Sequence, residues 1–253
     1  MGAAAALSTR QKLERARAAS AQIAQLSTED KNRLLIQMAD AIESHSEAIL
    51  RANAEDVSES NLSGAMLDRL LLTPVRIKDT ADTVRDVASL PDPVNTIIEE
   101  WTRPNGLLIR KVRVPLGVVG IVYESRPNVT VDAATLALKA GNAVILRGGK
   151  EAAHSNQVLC EIMNAISGMP AGAIELLDSG TRGSVQELMR ARGLVDVLIP
   201  RGGPELISHV IENATVPVIE TGAGNCHIFV DESADLEMAG RIVMNAKIQR
   251  PSV

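Results

Sequence analysis

Apolar residues in the first ninety positions recur every three or four residues, which is the spacing of an amphipathic helix. The clearest run comprises Leu34, Leu35, Met38, Ile42, Ile49 and Leu50. Ser27, followed closely by two acidic residues, predicts the start of one helix, and Thr73-Pro74 predicts the start of another that runs to about Leu90. Pro91 then interrupts the pattern. Residues 1–94 are therefore expected to form helices that pack around another part of the chain.

The pattern changes to that of a β-hairpin between residues 95 and 114. Residues 95–101 predict a strand, Asn105-Gly106 predicts a tight turn, and residues 107–114 mix apolar side chains with arginine and lysine. Such a hairpin has one charged face. We expect it either to lie against another part of the chain or to offer an edge strand to a partner subunit, which would make the protein a homo-oligomer.

From residue 118 onwards, short apolar strands alternate with helices. Strands are predicted at residues 118–122, 143–146, 173–177, 195–199 and 216–219, and helices at residues 129–139, 153–167, 185–192, 205–213 and 236–248. This order predicts an α/β fold with a parallel sheet covered on both faces, in which ligands bind at the carboxyl ends of the strands. Glycine, arginine and asparagine residues cluster at those predicted ends, so that edge is the expected binding site.

Composition narrows the function classes. The 253 residues are 45% hydrophobic and carry a net charge of −5, so no basic excess favours nucleic acid or an anionic membrane. One Trp, one Tyr and one Phe provide no base-stacking platform. Two cysteines are too few for a disulfide framework or a four-cysteine zinc site, and the apolar run at residues 114–123 is too short to span a bilayer. We expect a cytoplasmic protein without a metal site.

Two common phosphate-binding motifs are missing from the sequence. A Walker loop requires Ser or Thr after its lysine, but Gly148-Gly149-Lys150 is followed by Glu151. The segment Gly222-Ala223-Gly224 lacks the third glycine of a dinucleotide fingerprint. A doubly wound sheet that binds a nucleotide by another route remains open.

Four segments of the chain resemble the gamma-glutamyl phosphate reductase family of the aldehyde dehydrogenase superfamily. They read VPLGVVGIVYESRPNVT from residue 114, KAGNAVILRGG from residue 139, ETGAGNCH from residue 220 and NAKIQRP from residue 245. The resemblance covers nearly the whole chain. It implies a Rossmann-like cofactor domain and NADPH-dependent reduction of L-glutamyl 5-phosphate to glutamate 5-semialdehyde and phosphate, in proline biosynthesis.

The resemblance also implies a cysteine nucleophile that forms a thioester and then receives hydride from the cofactor. In the family this cysteine directly follows a segment like residues 249–253, where this sequence ends. The resemblance therefore predicts that the 253 residues are inactive alone. A non-catalytic module that binds nucleotide or partner chains is the alternative.

The expected domain plan has four parts. They are a helical part of the cofactor domain at residues 1–94, an oligomerisation hairpin at residues 95–114, a Rossmann-like NADPH-binding domain at residues 115–235, and the start of a catalytic domain at residues 236–253.

The resemblance assigns cofactor binding to Arg147, Lys150 and Glu220, and the position of Gly202 and Gly203 before a predicted helix adds these two glycines. Arg147 stands where related dehydrogenases carry a lysine for the adenosine ribose, and Lys150 stands where NAD-preferring relatives carry a glutamate. Cations at both positions favour the 2′-phosphate of NADPH, although two solvated surface cations are the alternative. Gly202 and Gly203 precede a predicted helix whose amides can face the pyrophosphate, with a plain turn as the alternative. Glu220 is interpreted as structural or cofactor-facing, because a hydrolytic base would discard the activated acyl group.

Substrate binding is assigned to Arg126, Asn128 and Arg250. Arg126 and Asn128 occupy the loop that carries an oxyanion-stabilising asparagine in the superfamily, but the spacing differs by about one residue, which leaves that role of Asn128 open. Arg126 and Arg250 are candidates for the acyl phosphate or the substrate carboxylate. Cys160, on a predicted helix, and Cys226, at the start of a predicted apolar strand, are interpreted as structural. No catalytic residue is assigned within the chain.

Overall fold

Five helices form the first part of the structure, a computed structural model that describes residues 7–220 and 226–248. They are α1 (Thr9–Ile23), α2 (Thr28–Ser44), α3 (Ser46–Glu59), α4 (Gly64–Leu70) and α5 (Pro74–Ser89). Ser27 Oγ accepts a hydrogen bond from the backbone N–H of Asp30 at 3.1 Å, and Thr73 caps α5 in the same way. The predicted starts of these two helices are confirmed.

The predicted hairpin is present, with strands β1 (Ile97–Thr102) and β2 (Leu108–Val112) paired antiparallel. The first strand begins two residues later than expected, because Asn95 has a φ of 63°, outside the range of an extended strand. All six residues of β1 are exposed, and in β2 only Ile109 is partly buried. Side chains are therefore exposed on both faces of the hairpin.

A four-stranded parallel sheet forms the centre of the molecule. Its strands are β3 (Val118–Tyr123), β4 (Ala143–Arg147), β5 (Ile174–Leu176) and β6 (Val197–Arg201), in the spatial order β5-β4-β3-β6. The connecting helices are α6 (Pro127–Lys139), α7 (Ala153–Asn164), α8 (Arg182–Met189) and α9 (Pro204–Asn213). The predicted α/β class with a parallel sheet is confirmed. The chain adds strands to one side of β3 and then returns to the other, so the strand order reverses between β3 and β6.

Two of the strand predictions are wrong, because the described structure has no strand at those residues. Residues 216–219 make only a single bridge, between Val218 and Leu198. Pro217 accepts a hydrogen bond from Leu198 but has no N–H to donate, which stops the ladder. The apolar strand expected from Cys226 is an exposed irregular segment, and no described strand lies beside it to provide backbone partners.

The N-terminal helices and the sheet share one hydrophobic core. Leu35 and Met38 of α2 and Ile145 and Leu146 of β4 are all fully buried in the same cluster. By contrast α10 (Leu236–Ile248), which begins and ends where the sequence predicts, has no buried residue. Among the helices that the structure describes, none is long and apolar enough to cross a membrane.

Candidate functional site at the carboxyl edge of the sheet

Three loops meet where β3, β4 and β6 end. In the strand register, Tyr123 of β3 lies level with Arg201 of β6, and Val122 lies level with Arg147 of β4. Because the strands are parallel, the following loops leave the sheet at the same edge. The expected clustering of arginine and glycine residues at the strand ends is confirmed here. The reversal of strand order between β3 and β6 makes this edge the favoured ligand-binding crevice of the fold.

A carboxylate occupies the N-terminus of α9. Glu124 Oε1 accepts a hydrogen bond from the backbone N–H of Gly203 at 2.7 Å. A Cβ atom on Gly202 would lie 2.7 Å from the Glu124 side chain, so only glycine fits there without displacing it. The N-terminus of a helix favours negative charge, because its amides are unsatisfied and the helix dipole is positive there. This end of α9 is thus built to receive an anionic group, and Glu124 provides one from within the chain.

The loop after β4 is held against the loop after β3. Ser125 Oγ donates a hydrogen bond to Glu151 Oε2 at 2.7 Å, and a Cβ atom on Gly149 would lie 2.8 Å from Ser125 Oγ. Lys150 begins a short 3-10 turn between these residues and is exposed to solvent. Its ammonium is therefore available at the edge, whereas the neighbouring carboxylate of Glu151 is fixed by Ser125.

Arg147 is partly buried at the end of β4. Its guanidinium donates hydrogen bonds of 3.2 Å to the carbonyl oxygens of Gly148 and Ser179, in the loops after β4 and β5. Its Nε atom is buried without a hydrogen-bond partner among the described residues. Burial lowers the pKa of Arg147, and the carboxylates of Asp178 and Glu151 partly offset that effect. Among the described residues, two long hydrogen bonds to carbonyl oxygens hold the guanidinium, and it retains further donors for an anion.

A cleft of about 950 Å³ opens beside this edge, between α4 and α5 on one side and α6 on the other. Arg126, the N-cap of α6, and Asn128 both line it. Asn128 Nδ2 donates a hydrogen bond to Asp132 Oδ2 at 3.2 Å. Leu72, before α5, and Val84 and Val87 of α5 supply part of the apolar wall. Arg126 and Asn128, the two described residues expected to bind the substrate, therefore line the same cavity.

Among the charged residues of the cleft that the sequence analysis did not single out, two lie on α6 and at the end of β6. Asp132 lies on α6, and Arg201 ends β6. Burial raises the pKa of Asp132, while Arg201 and the hydrogen bond from Asn128 act in the opposite direction. The sequence contained a signal for Asp132, because it is the only acidic residue of a helix that is mostly apolar. Arg201 was missed because the predicted strand ended two residues before it.

Of the other expected site residues, none that the structure describes lines the cleft. Glu220 is exposed, and Arg250 lies outside the described residues. Cys160 is buried in α7, as expected, and burial raises the pKa of its thiol to about 12. Cys226 is exposed, so its interpretation as a packed residue is wrong for the described structure. Neither cysteine contributes to the cavity wall.

Comparison with known proteins gives consistent matches. The sequence model of the aldehyde dehydrogenase family matches residues 2–250. The gamma-glutamyl phosphate reductases of Koribacter versatilis and Moorella thermoacetica are 64% and 58% identical, and each match covers 98% of this chain. The crystal structure of gamma-glutamyl phosphate reductase from Thermotoga maritima has a TM-score of 0.87 at 41% identity and covers 97% of this chain. The chain spans only 60–61% of the length of these three relatives.

Proposed function

Since the chain belongs to the aldehyde dehydrogenase family, which implies a nicotinamide cofactor, we propose that it takes part in the NADPH-dependent reduction of L-glutamyl 5-phosphate. The products are glutamate 5-semialdehyde and phosphate, a step of proline biosynthesis. The proposal rests chiefly on the 64% identity to a gamma-glutamyl phosphate reductase over 98% of the chain. The coincidence of cations, a glycine-lined helix N-terminus and a cleft at one sheet edge supports it.

The cofactor would be held along the carboxyl edge of the sheet. The fit is supported by the incompletely bonded guanidinium of Arg147, by the exposed ammonium of Lys150 and by the N-terminus of α9, where the Gly203 N–H already binds the carboxylate of Glu124. Arg147 and Lys150 would bind the 2′-phosphate, and the amides near Gly202 and Gly203 would bind the pyrophosphate once Glu124 withdraws. Glu220 is proposed to face the cofactor. The bound cofactor supplies the hydride for the reduction.

The substrate would occupy the cleft beside that edge. Arg126 and Arg250 are proposed to bind its anionic groups, and Asn128 to contact the reacting end. A thiolate would attack the acyl carbon and expel phosphate, and hydride delivery to the resulting thioester would release the aldehyde and restore the thiolate. Neither Cys160 nor Cys226 lines the cleft, so we propose that neither is this nucleophile.

The reverse reaction provides the test. The protein, expressed from its complete reading frame, is given glutamate 5-semialdehyde, phosphate and NADP⁺, and NADPH absorbance is followed. We expect a phosphate-dependent signal that survives in Cys226→Ser, and none from residues 1–253 alone. A complete protein that binds NADPH but shows no such signal would contradict the reductase and favour a non-catalytic module. Activity of residues 1–253 that disappears in Cys226→Ser would contradict the exclusion of Cys226.

Cofactor preference has its own test. Lys150→Glu should weaken NADPH binding about ten- to hundredfold, the value of a charge-assisted contact, and should spare NADH binding. Calorimetric titration of both cofactors measures the difference. Lys78→Glu, an exposed lysine on α5 outside the cleft, is the matched control. Equal losses for both cofactors, or no loss, would contradict the assignment of Lys150.

We also propose that the protein is a homo-oligomer that assembles through the β1–β2 hairpin. The two-stranded hairpin is exposed on both faces, including the large side chains of Ile98 and Trp101. An isolated two-stranded hairpin is marginally stable in water. A partner strand or sheet would stabilise it, and a test is given in the Discussion.

A further inference from the structure

The three aspartates that line the cleft differ in how their charges are satisfied. Asp68 Oδ1 accepts a hydrogen bond from Arg76 Nη2 at 2.6 Å, and Asp79 is exposed on α5. Asp132 is partly buried on α6. It makes no ion pair within 4 Å with any residue that the structure describes, and its hydrogen bond comes from the neutral amide of Asn128 at 3.2 Å. Asp132 is therefore the cleft carboxylate whose charge is least compensated.

Burying a carboxylate with one long hydrogen bond is unfavourable, since the lost hydration is only partly replaced. Burial accordingly raises the pKa of Asp132, and the more distant Arg201 lowers it without forming a contact. A cation entering the cleft would restore the missing interaction. Arg76, the cation of α5 that lines the cleft, is already bound to Asp68 and to the carbonyl of Leu71. The arrangement suits a positively charged ligand group.

Positive charge lies at the end of the cleft that is next to the carboxyl edge of the sheet. Arg201 ends β6 at the carboxyl edge and forms no ion pair within 4 Å in the described chain, and Arg126 caps the adjacent N-terminus of α6. Both arginines line the cavity. α6 starts at the carboxyl edge and runs away from it, so a ligand lying along α6 would meet cations first and Asp132 further in.

The spacing matches an amino acid that carries an activated acyl group on its side chain. Asp132 is five residues after Pro127, the first residue of α6, which is roughly 7.5 Å along a helix axis. In L-glutamyl 5-phosphate, four bonds separate the acyl carbon from the α-ammonium, an extended distance of about 5 Å with standard bond lengths. The phosphate extends the molecule further towards the edge. A substrate of this length can therefore place its phosphate near the start of α6, at the sheet edge, and its ammonium beside Asp132.

We propose that Asp132 accepts the α-ammonium of an α-amino acid substrate in this cleft, while Arg201 faces the acyl phosphate. The assignment rests on the proposed function, because that function supplies the acyl phosphate at the sheet edge. It adds a basis for selectivity: a substrate that lacks the α-amino group would leave Asp132 without its cation.

The test compares two aldehydes in the reverse reaction of the protein expressed from its complete reading frame. One is L-glutamate 5-semialdehyde, and the other is 5-oxopentanoate, which has the same length but no amino group. Asp132→Asn keeps the size and the hydrogen-bond acceptor for Asn128 and removes only the charge. It should lower kcat/KM about ten- to hundredfold for the amino substrate, mainly through KM, and leave the value for 5-oxopentanoate unchanged. Asp79→Asn, in the opposite wall, should change neither value.

Each other outcome is informative. Equal losses with both aldehydes, or no loss with either, would overturn the role of Asp132. A selective loss in Asp79→Asn instead of Asp132→Asn would move the ammonium to α5 and overturn the assignment. No turnover of either aldehyde by the unsubstituted protein would contradict the proposed reaction, and the ligand assigned to the cleft would fall with it.

Discussion

The two sheets of this chain obtain their stability in different ways. In β4 of the parallel sheet, residues 143–146 are each at most 1% exposed, between layers of helices. In the hairpin, all of β1 is exposed, and an ion pair of 2.5 Å between Glu100 and Arg110 joins the two strands across the solvent face. Continuous apolar runs produce the first kind of strand, and runs that mix apolar and charged residues produce the second.

This difference between the two sheets favours the carboxyl edge of the buried sheet as the functional region. The buried sheet fixes the ends of three strands relative to one another, so the side chains that follow them converge at one edge without needing further support. The hairpin does not position strand ends in this way, and its side chains are exposed to solvent. Substitutions in the two regions should therefore differ in size and in kind.

The largest expected difference is in core packing. Ile145→Ala removes a fully buried side chain from β4 and should lower the free energy of unfolding by about 2–5 kcal/mol, through lost burial and the cavity that remains. Chemical denaturation followed by circular dichroism measures this. The matched change Ile98→Ala in β1, where the side chain is 50% exposed, should alter the same quantity by less than about 0.5 kcal/mol. Comparable losses in both variants would mean that the hairpin is buried in solution.

A smaller effect is expected where the helical part joins the hairpin. Asp92 accepts hydrogen bonds from Thr28 Oγ1 at 2.8 Å and from the Val94 N–H at 2.9 Å, and it forms an ion pair with the buried Lys31. Asp92→Asn removes a hydrogen bond between charged groups and should cost about 1.5–3 kcal/mol in the free energy of unfolding. Denaturant titrations at pH 7 measure the loss.

The pH dependence of the free energy of unfolding tests whether the charge of Asp92 causes the loss in Asp92→Asn. Burial raises the pKa of Asp92, but the hydrogen bonds from Lys31, Val94 and Thr28 outweigh it, so the pKa lies below its usual value. A lowered pKa stabilises the folded state above the unfolded value of about 3.9, and this contribution disappears as the pH falls through the folded value. The gap between the parent and Asp92→Asn should therefore close on acidification below about pH 4. A gap that persists would indicate a packing effect.

Local signals in the sequence were sufficient for most of the fold. The capping side chains of Ser27 and Thr73 act within one helical turn, and the apolar runs of β3 and β4 need only their own burial. The failures involve partners that are distant in sequence. The strand expected at residues 216–219 is limited by the missing N–H of Pro217, and the strand expected from residue 226 has no neighbour among the described strands.

The candidate site was predictable only in part. Arg126 and Asn128 were identified and do line one cleft, but its second wall comes from α4 and α5, which the sequence suggested only as scaffold. The contact between Glu124 and Gly203 joins residues 79 positions apart. No sequence motif predicts this contact, because the contact forms only when β3 and β6 are neighbours in the sheet. Asp132 and Arg201 can be recognised as site residues only in the folded structure, where α6 and β6 bring both of them to the cleft.

The edge of the hairpin gives a third prediction. Leu107 and Arg113 accept backbone hydrogen bonds from the facing strand, so the alternation of an antiparallel ladder directs the N–H of Val112 away from it, towards the open edge. Val112→Pro should remove an edge donor and weaken a homo-oligomer about tenfold in Kd, without loss of the hairpin itself. Val112→Ala, which keeps the N–H, should not. Sedimentation of both variants and the parent is the measurement, and a monomeric parent would contradict the proposed assembly.

The smallest expected effect tests whether the hairpin unfolds independently of the buried sheet. Trp101 in β1 is the only tryptophan in the sequence, so its emission reports on the hairpin, whereas far-ultraviolet circular dichroism reports on the whole chain. Glu100→Gln removes the exposed ion pair with Arg110 and should destabilise the hairpin by less than about 1 kcal/mol. Glu99→Gln is the matched control, because Glu99 faces Lys111 and makes no ion pair within 4 Å with any described residue. We expect the Trp101 midpoint to shift in Glu100→Gln alone while the dichroism midpoint stays constant. Midpoints that move together would mean that the two sheets unfold as one cooperative unit, because the energy of an exposed cross-strand pair would then be shared with the core.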